Sequence, residues 1–320
     1  MAAQVLKSVM GEIETRSEGR IKPEIFWGST MASPMEAASF VTTGIAQGGS
    51  IDPLNAPALL PLSRGVELVY LSEKPDSLYK AIRELYNTWP PFAQEWEEQG
   101  LKPLCYSISE LIPLPSKEPA YKWEDMKGWQ IRASGIDADL VSRWGANPVN
   151  IPFGEIYEAL ERGLLDSSTA IFFSSFFGLR MFEVIDYAID TRAGLVIVVF
   201  ESVSLDWYNS LPKDLQAVID DVSNDSFEIW SQTMIGGTTF IAQELAKTDM
   251  TFIQWSAEEK QRAKEQALPE VYNVWYNELE EKGLGPEARE LVERLTALIA
   301  KYEPESEFPH PFGLVEQARK

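Results

Sequence analysis

The sequence contains very few of the side chains that bind metals or form covalent cross-links. Its 320 residues include one cysteine, Cys105, and one histidine, His310. A single cysteine excludes an intrachain disulfide, and these two residues cannot supply a zinc site built from cysteine and histidine. We therefore expect a protein that works without a metal or another cofactor.

Basic residues are also scarce, and long apolar runs are absent. The chain has 28 lysines and arginines against 49 aspartates and glutamates, a formal net charge of −21. Such a chain lacks the basic surface that binding to a nucleic-acid backbone requires. Its apolar runs, such as residues 193–200, are far shorter than the roughly 20 residues of a membrane helix. These absences argue against nucleic acid as a partner and against a membrane-spanning segment.

The N-terminus and the length set two further expectations. Residues 1–4 lack the basic segment and apolar core of a secretory signal, so we expect that any signal has been removed or was never included. At 320 residues, with 45% apolar content, the chain exceeds one typical domain. A helix, a glycine, a short strand and a polar loop follow one another at 35–50 and again at 155–169. This order suggests two related lobes that face one cleft.

The stretch around Arg132 has the strongest pattern for a ligand site. Apolar and polar side chains alternate over 129–133, which predicts a strand, and Ser134-Gly135 ends it before a helical run over 138–144. Arg132 thus lies at the carboxyl end of a strand, where ligands bind in open α/β sheets. The planar guanidinium donates two parallel hydrogen bonds to a carboxylate. We therefore predict that Arg132 anchors a carboxylate ligand, the alternative being an ion pair within the protein.

Hydroxyl and aromatic residues are weaker candidates. Ser50 and Thr169 stand at expected strand ends, where a hydroxyl can orient a ligand. Phe173 belongs to an aromatic run over 172–177, a spacing more typical of a core than of a pocket. If this run lines the cleft, the ligand is an apolar or aromatic monocarboxylate.

Other elements follow from the same patterns. Residues 21–27 alternate well enough to predict a strand, and 257–282 predict a helix interrupted at Pro269. The tail beyond Glu303 is expected to be loosely held.

Several segments resemble one family, the substrate-binding proteins of tripartite ATP-independent periplasmic (TRAP) transporters, of the dicarboxylate-binding type. The similar segments are Asp125–Arg132, Gly145–Val149, Pro152–Leu160, Gly163–Asp166 and Leu211–Gln216. The resemblance implies an α/β, two-lobed fold of the periplasmic-binding-protein type. Each lobe would be a mixed sheet flanked by helices, and one long helix would span both lobes.

The resemblance also implies a function and a site. An extracytoplasmic receptor of this kind binds an organic acid between its lobes and delivers it to the membrane permease, so we expect a periplasmic binding protein and not an enzyme. Arg132 matches the arginine that pairs with the ligand carboxylate, and Phe153 matches an aromatic position of the pocket wall, although plain core packing is an equal alternative. The expected lobes are lobe I, residues 1–109 with 196–235, and lobe II, residues 110–195 with 236–320, so the chain crosses near 109, 196 and 235.

Three departures from the family pattern bear on the site. The family normally opens with a strand before its first helix, whereas this chain begins at the helix, so its start looks truncated. Many relatives carry a glycine and then a glutamate-asparagine pair where this chain has Ser167, Ser168, Thr169 and Ala170. Relatives that take polyhydroxylated acidic sugars have an arginine where this chain has Ile112. The residues therefore point away from sugar acids. The usual second anchor has no matching residue here, and Thr169 and Ala170 are the candidate ligand-binding residues at its place.

Two other functions stay open on the residues alone. Glu155, Glu158 and Asp166 are near one another in sequence, and a hydrolase would need two such carboxylates roughly 5 to 9 Å apart in a cleft. A ligand sensor that passes its closed form to a membrane receptor would have the same sequence features as a transport receptor.

Overall fold

The computed structural model describes all 320 residues, which form an α/β structure with nine strands and thirteen α-helices. The strands are β1 (Gly48–Ile51), β2 (Leu101–Ile108), β3 (Leu114–Ser116), β4 (Gln130–Arg132), β5 (Asn147–Val149), β6 (Ser167–Ser168), β7 (Tyr187–Asp190), β8 (Val198–Ser204) and β9 (Thr251–Gln254). The helices are α1 (Ala2–Arg16), α2 (Ala37–Thr42), α3 (Pro75–Thr88), α4 (Pro90–Glu98), α5 (Ile136–Arg143), α6 (Ile156–Glu161), α7 (Phe173–Gly178), α8 (Leu205–Ser210), α9 (Lys213–Leu245), α10 (Ala257–Ala267), α11 (Glu270–Glu281), α12 (Gly285–Tyr302) and α13 (Pro311–Ala318). None of them is both long and apolar enough to cross a membrane.

The sheet of lobe I has the order β1-β8-β2, with both pairs antiparallel. Its central strand β8 presents Phe200 to a large aromatic core. The Phe200 ring stacks on Trp96 with 4.4 Å between ring centroids and meets Tyr106 edge-on at 5.0 Å. Residues 21–27, which the sequence predicts as a strand, pair with no strand in the structure.

Lobe II contains two smaller sheets. One has the order β3-β7-β9, and the other has the order β5-β4-β6 with parallel pairs. In the second sheet Arg132 lies opposite Val149 on one side and Ser168 on the other. Three strands thus end around Arg132, as its sequence position predicts.

The helix α9 is the longest element and spans both lobes. Its 33 residues correspond to a length of roughly 50 Å at 1.5 Å per residue. Buried side chains recur every three or four positions, from Leu215 through Trp230 to Leu245. One end contacts α1 in lobe I, and the other contacts α7 and α13 in lobe II. The expectation of a helix that spans both lobes is confirmed.

The segments near residues 109 and 196, where the chain is expected to cross between the lobes, lie side by side. Backbone hydrogen bonds join Ser109 N to Ile197 O at 2.9 Å and Ile112 N to Leu195 O at 3.1 Å. We expect these two extended segments, which directly follow β2 and precede β8, to form the hinge between the lobes.

The last long helices pack differently from the lobe division predicted above. In α11, Trp275 Nε1 donates to Pro61 O at 3.1 Å and the Tyr272 hydroxyl donates to Val69 O at 2.7 Å, while α12 packs along α3. These contacts place α11 and α12 with lobe I, whereas the sequence assigned all of 236–320 to lobe II. Chain order alone cannot show this, because the apolar stripe of α12 finds its partner in α3, about two hundred residues earlier.

The C-terminal tail is held in place, contrary to the sequence expectation. Phe312 and Val315 of α13 are buried in lobe II, and the His310 ring lies 2.9 Å from Asp190 Oδ2. Burial would raise the pKa of Asp190, but the hydrogen bond and charge of His310, with bonds from the Arg192 amide and Gln254, together lower it.

We expect Asp190→Asn to lower the free energy of unfolding at pH 7 by about 1 to 3 kcal/mol, since buried hydrogen-bond partners lose their acceptor. A carboxyl whose folded pKa is depressed stabilises the fold above its unfolded pKa, near 3.9, and loses this contribution as pH falls through the folded value. The difference between variant and wild type should therefore be smaller at pH 3 than at pH 7. Urea unfolding at both pH values measures it, and an equal difference at both would contradict this account.

Candidate ligand-binding cleft

Arg132 ends β4 with its guanidinium half-buried and without an acidic partner. The Nε group donates to Ile151 O at 3.2 Å, and the guanidinium makes no ion pair with a carboxylate of the protein. Burial lowers the pKa of Arg132, and the charge of Asp137 acts against this shift. An arginine starts from so high a pKa that it stays protonated here. Its two terminal nitrogens are therefore available to an anion.

Thr169 and Asp137 lie beside this arginine. The Thr169 amide donates to Arg132 O at 2.9 Å, and its hydroxyl donates to the same oxygen at 3.3 Å. Asp137 stands in the first turn of α5. Burial raises the pKa of Asp137 to about 6, while the nearby Thr169 hydroxyl and the charge of Arg132 oppose the shift. Thr169 thus lies directly after β6 and beside Arg132, and Asp137 is a neighbour that the sequence pattern did not single out.

Phe153 and Ala170 occupy the loops that follow β5 and β6. The Phe153 ring is 46% exposed, and its loop begins at Ile151, the residue that binds the Arg132 Nε group. Ala170 is half-buried, and its amide donates to Ser168 Oγ at 3.1 Å. The loop positions thus bring both residues to the strand ends around Arg132.

Phe173 and Ser50 have other roles in the structure. Phe173 is fully buried in the core of lobe II, 6.3 Å from the Phe312 ring between centroids. The Ser50 hydroxyl donates to Glu201 Oε2 at 2.5 Å, so it is already engaged within the sheet. The Phe173 ring is therefore not accessible to a ligand in this arrangement, whereas Ser50 is exposed but uses its hydroxyl hydrogen within the protein. Phe173 therefore does not support the expectation, drawn from the phenylalanine run, of an apolar or aromatic ligand.

Two acids of lobe I lie near the same region and were not predicted as site residues. Asp52 follows β1 directly and accepts hydrogen bonds from Leu54 N at 2.8 Å and Asn55 Nδ2 at 2.7 Å. Burial raises its pKa to about 6. Glu67 is almost completely buried, and burial together with the charge of Asp52 raises its pKa well above the usual value. An acid directly after a strand end is the signal that could have identified Asp52.

The carboxylates of the hydrolase alternative do not form such a group. Glu155, Glu158 and Asp166 are all exposed, Glu158 pairs with Arg162 at 3.4 Å, and Asp166 accepts from the Gln130 amide at 2.6 Å. No group of three or more histidine, cysteine or acidic side chains is arranged to hold a metal ion.

Arg132 itself lines neither of two surface cavities. One, of about 550 Å³, is between α1 and residues 23–27, and the other, of about 270 Å³, is beside α6. The smaller cavity includes Val149, which ends β5, and Ile151, whose carbonyl accepts from the Arg132 Nε group. The candidate site is therefore defined by Arg132 and its neighbours.

Residues 3–278 match the model of one protein family, described as bacterial extracellular solute-binding protein, family 7. This match covers most of the chain. The chain belongs to this family. Family 7 proteins bind solutes and are not enzymes, and they include the periplasmic receptors of TRAP transporters.

Individual relatives agree with the family assignment. The ectoine-binding periplasmic protein TeaA of Halomonas elongata is 25% identical over 257 residues, 78% of this chain and 69% of that protein. A TRAP periplasmic solute-binding protein of Desulfovibrio salexigens is 25% identical, with a TM-score of 0.84 over 95% of this chain and 92% of that one. In that crystal structure, an open complex, the C-terminus of a symmetry mate occupies the ligand-binding site.

A third relative shows the fold with a ligand bound. The TRAP solute-binding protein of Chromohalobacter salexigens with bound D-glucuronate is 17% identical, with a TM-score of 0.79 over 93% of this chain and 95% of that one. The predicted two-lobed α/β fold of TRAP solute-binding proteins is thus confirmed for this family 7 member.

Proposed function

We propose that this family 7 protein is a periplasmic receptor that binds an organic acid between its lobes, with the ligand carboxylate on Arg132, and delivers it to the membrane permease of a TRAP transporter. The observation that carries the proposal is the half-buried guanidinium of Arg132, which has no acidic partner at a point where three strands end.

The chemistry of the site suits a carboxylate. A guanidinium donates two parallel hydrogen bonds to the two carboxylate oxygens, and partial burial strengthens this attraction relative to water. Thr169, next to Arg132, would help to orient the ligand, and Phe153 would cover its apolar part. Relatives with a bound acid, such as the one with D-glucuronate, support a carboxylate as the common feature. Ile112 stands where sugar-acid receptors have an arginine, which favours a ligand with fewer hydroxyl groups.

Lobe closure would connect binding to transport. Arg132 belongs to lobe II and Asp52 to lobe I, and the paired segments near 109 and 196 lie between them. A ligand that contacts both lobes binds the closed arrangement better, and this difference in affinity shifts the population toward closure. The permease would then recognise the closed form.

A thermal-shift screen of organic acids tests the proposed function. A ligand that binds only the folded state raises the melting temperature by mass action, about 2.7 kcal/mol of stabilisation at a hundred times its Kd. We expect at least one carboxylic acid to raise the melting temperature of the wild type and to leave that of Arg132→Ala unchanged. A screen in which only molecules without a carboxylate bind would contradict the proposal.

We expect Phe153→Ala to weaken binding of the acid found in that screen by roughly 2- to 12-fold, since an aromatic contact contributes about 0.5 to 1.5 kcal/mol. The ring is 46% exposed, so its removal should change the melting temperature of the free protein very little. Calorimetric titration of both proteins measures the ratio. A variant that unfolds at a much lower temperature but binds normally would place Phe153 in the core.

A further inference from the structure

Glu67 is a buried carboxyl group with one oxygen that no hydrogen-bond donor of the protein reaches. It ends the short 3-10 helix Ser63–Glu67, and its residue is only 6% exposed. Oε1 accepts a hydrogen bond from the Val198 amide, whereas Oε2 has no partner. Most buried polar atoms in proteins are paired, because an unpaired one costs about 1 to 3 kcal/mol. The orphaned oxygen therefore indicates a partner that is not part of the chain.

The strand register brings a second acid to the same place. Ile51 of β1 pairs with Phe200 of β8, so the next residue, Asp52, comes level with the start of β8. Glu67 binds the amide of Val198, the first residue of β8. The two carboxyl groups therefore meet at the end of the lobe I sheet that is nearest to the hinge.

Lobe II adds a third acid and the arginine. The charge of Asp137 reaches Glu67 and contributes to its raised pKa, and the charge of Arg132 in turn acts on Asp137. Arg64, the other basic neighbour of Glu67, already binds Glu278 through Nη1 at 2.8 and 2.6 Å. Asp52 and Glu67 of lobe I thus lie near Asp137 of lobe II, and Asp137 lies near the Arg132 guanidinium, which has no acidic partner.

The charges in this region do not suit a ligand that is only an anion. When ionised, Asp52, Glu67 and Asp137 outnumber Arg132, so a purely anionic ligand would bring one more negative charge among them, whereas a cationic group would favour their ionised forms. We propose that the ligand is a zwitterion, whose carboxylate binds Arg132 and whose ammonium or amidinium group binds Glu67 with support from Asp52. This inference rests on the proposed function and specifies its substrate class.

A cationic N–H group would supply the donor that Glu67 Oε2 lacks. Charge-assisted hydrogen bonds are about twice as strong as neutral ones, and a nearby cation favours the ionised carboxylate that burial disfavours. An acid without a cation would leave Oε2 unpaired after lobe closure. A site that hydrogen-bonds a polar group of its ligand strongly rejects analogues without that group. This discrimination is much larger than that of an apolar pocket against an analogue that lacks one methylene.

The test compares two classes of acid by calorimetric titration. One class contains α-amino acids and ω-amino acids from 3-aminopropanoate to 6-aminohexanoate together with guanidino and amidino acids, and the other contains carboxylates of equal length without the cation. We expect the tightest wild-type ligand to carry a cation and to bind at least tenfold more tightly than its cation-free counterpart. Glu67→Gln, which keeps an acceptor for the Val198 amide, should reduce this ratio to below about threefold.

Asp52→Asn provides a second variant if Glu67→Gln folds poorly, and it should reduce the same ratio in part. Two results would overturn the inference and leave the receptor function standing. One is that cation-free acids bind as tightly as the amino acids. The other is that neither Glu67→Gln nor Asp52→Asn changes the affinity ratio between the two classes of acid. If cation-free acids bind the wild type but not Arg132→Ala, the receptor function stands and only the zwitterion inference fails. Failure of every acid in both classes would overturn the proposed function as well.

Discussion

Replacement of Arg132 by alanine should reduce affinity for the organic-acid ligand by roughly 30-fold to several thousand-fold. Removing one partner of a buried, hydrogen-bonded charge pair costs about 2 to 5 kcal/mol, because the other charge stays desolvated and unpaired. Arg132→Lys keeps the charge but loses the planar fork, so its affinity should lie between those of the wild type and the alanine variant. Calorimetric titration with the best acid from the thermal-shift screen measures all three.

Arg162→Ala is the matched control for this experiment. Arg162 is exposed on the outer side of lobe II and pairs only with Glu158, so its loss should leave affinity within about twofold of the wild type. The melting temperature of ligand-free Arg132→Ala should remain near that of the wild type. The guanidinium forms no ion pair, so its removal leaves no carboxylate of the protein without a partner. Unchanged affinity in Arg132→Ala would refute the assignment of this residue as the anchor.

Replacement of Trp230 by alanine should have the largest effect on stability. Trp230 is completely buried on α9, and its Nε1 donates to Ile108 O at 3.0 Å, at the end of β2 where the chain leaves lobe I. Its ring also packs against Tyr79 and Phe308, 5.2 and 5.9 Å away between centroids. Truncation of a core tryptophan costs about 3 to 5 kcal/mol, so the melting temperature of this 320-residue chain should fall by roughly 4 to 8 °C.

Trp27→Ala serves as the control for this change. Trp27 has the same side chain but is 44% exposed, so its replacement should cost less than about 1 kcal/mol. Scanning calorimetry of the two variants and the wild type compares the melting temperatures. Equal effects of the two substitutions would mean that Trp230 is not packed as the structure describes.

The sequence pattern predicted that Arg132 lies at a strand end but not that buried acids lie near it. The alternation of apolar and polar residues around Arg132 is a local pattern, so the strand could be predicted. The glycine-containing turn that ends the strand could be predicted too, and together they place Arg132 at the strand's carboxyl end. Asp52 and Glu67 look like ordinary surface acids in the sequence. Their burial depends on the pairing of β1 with β8 and on the Val198 amide, which are contacts between distant parts of the chain.

Other errors have the same physical origin. Alternation over 21–27 indicates which side chains share a face but not whether a partner strand lies beside them. Phe173 and its neighbours are apolar enough for either a pocket or a core, and the packing of Phe173 against Phe312 of α13 decides for the core. The helix α13 itself was missed because its polar, proline-containing approach resembles a loose tail, while Phe312 and Val315 find apolar partners in lobe II.

A crystal structure with the tightest-binding acid tests the central claim most directly. We predict that the ligand lies between the lobes, with its two carboxylate oxygens within about 3.2 Å of the terminal nitrogens of Arg132. A carboxylate bound elsewhere in the cleft, with the Arg132 guanidinium turned to solvent or to an acid of the protein, would contradict it.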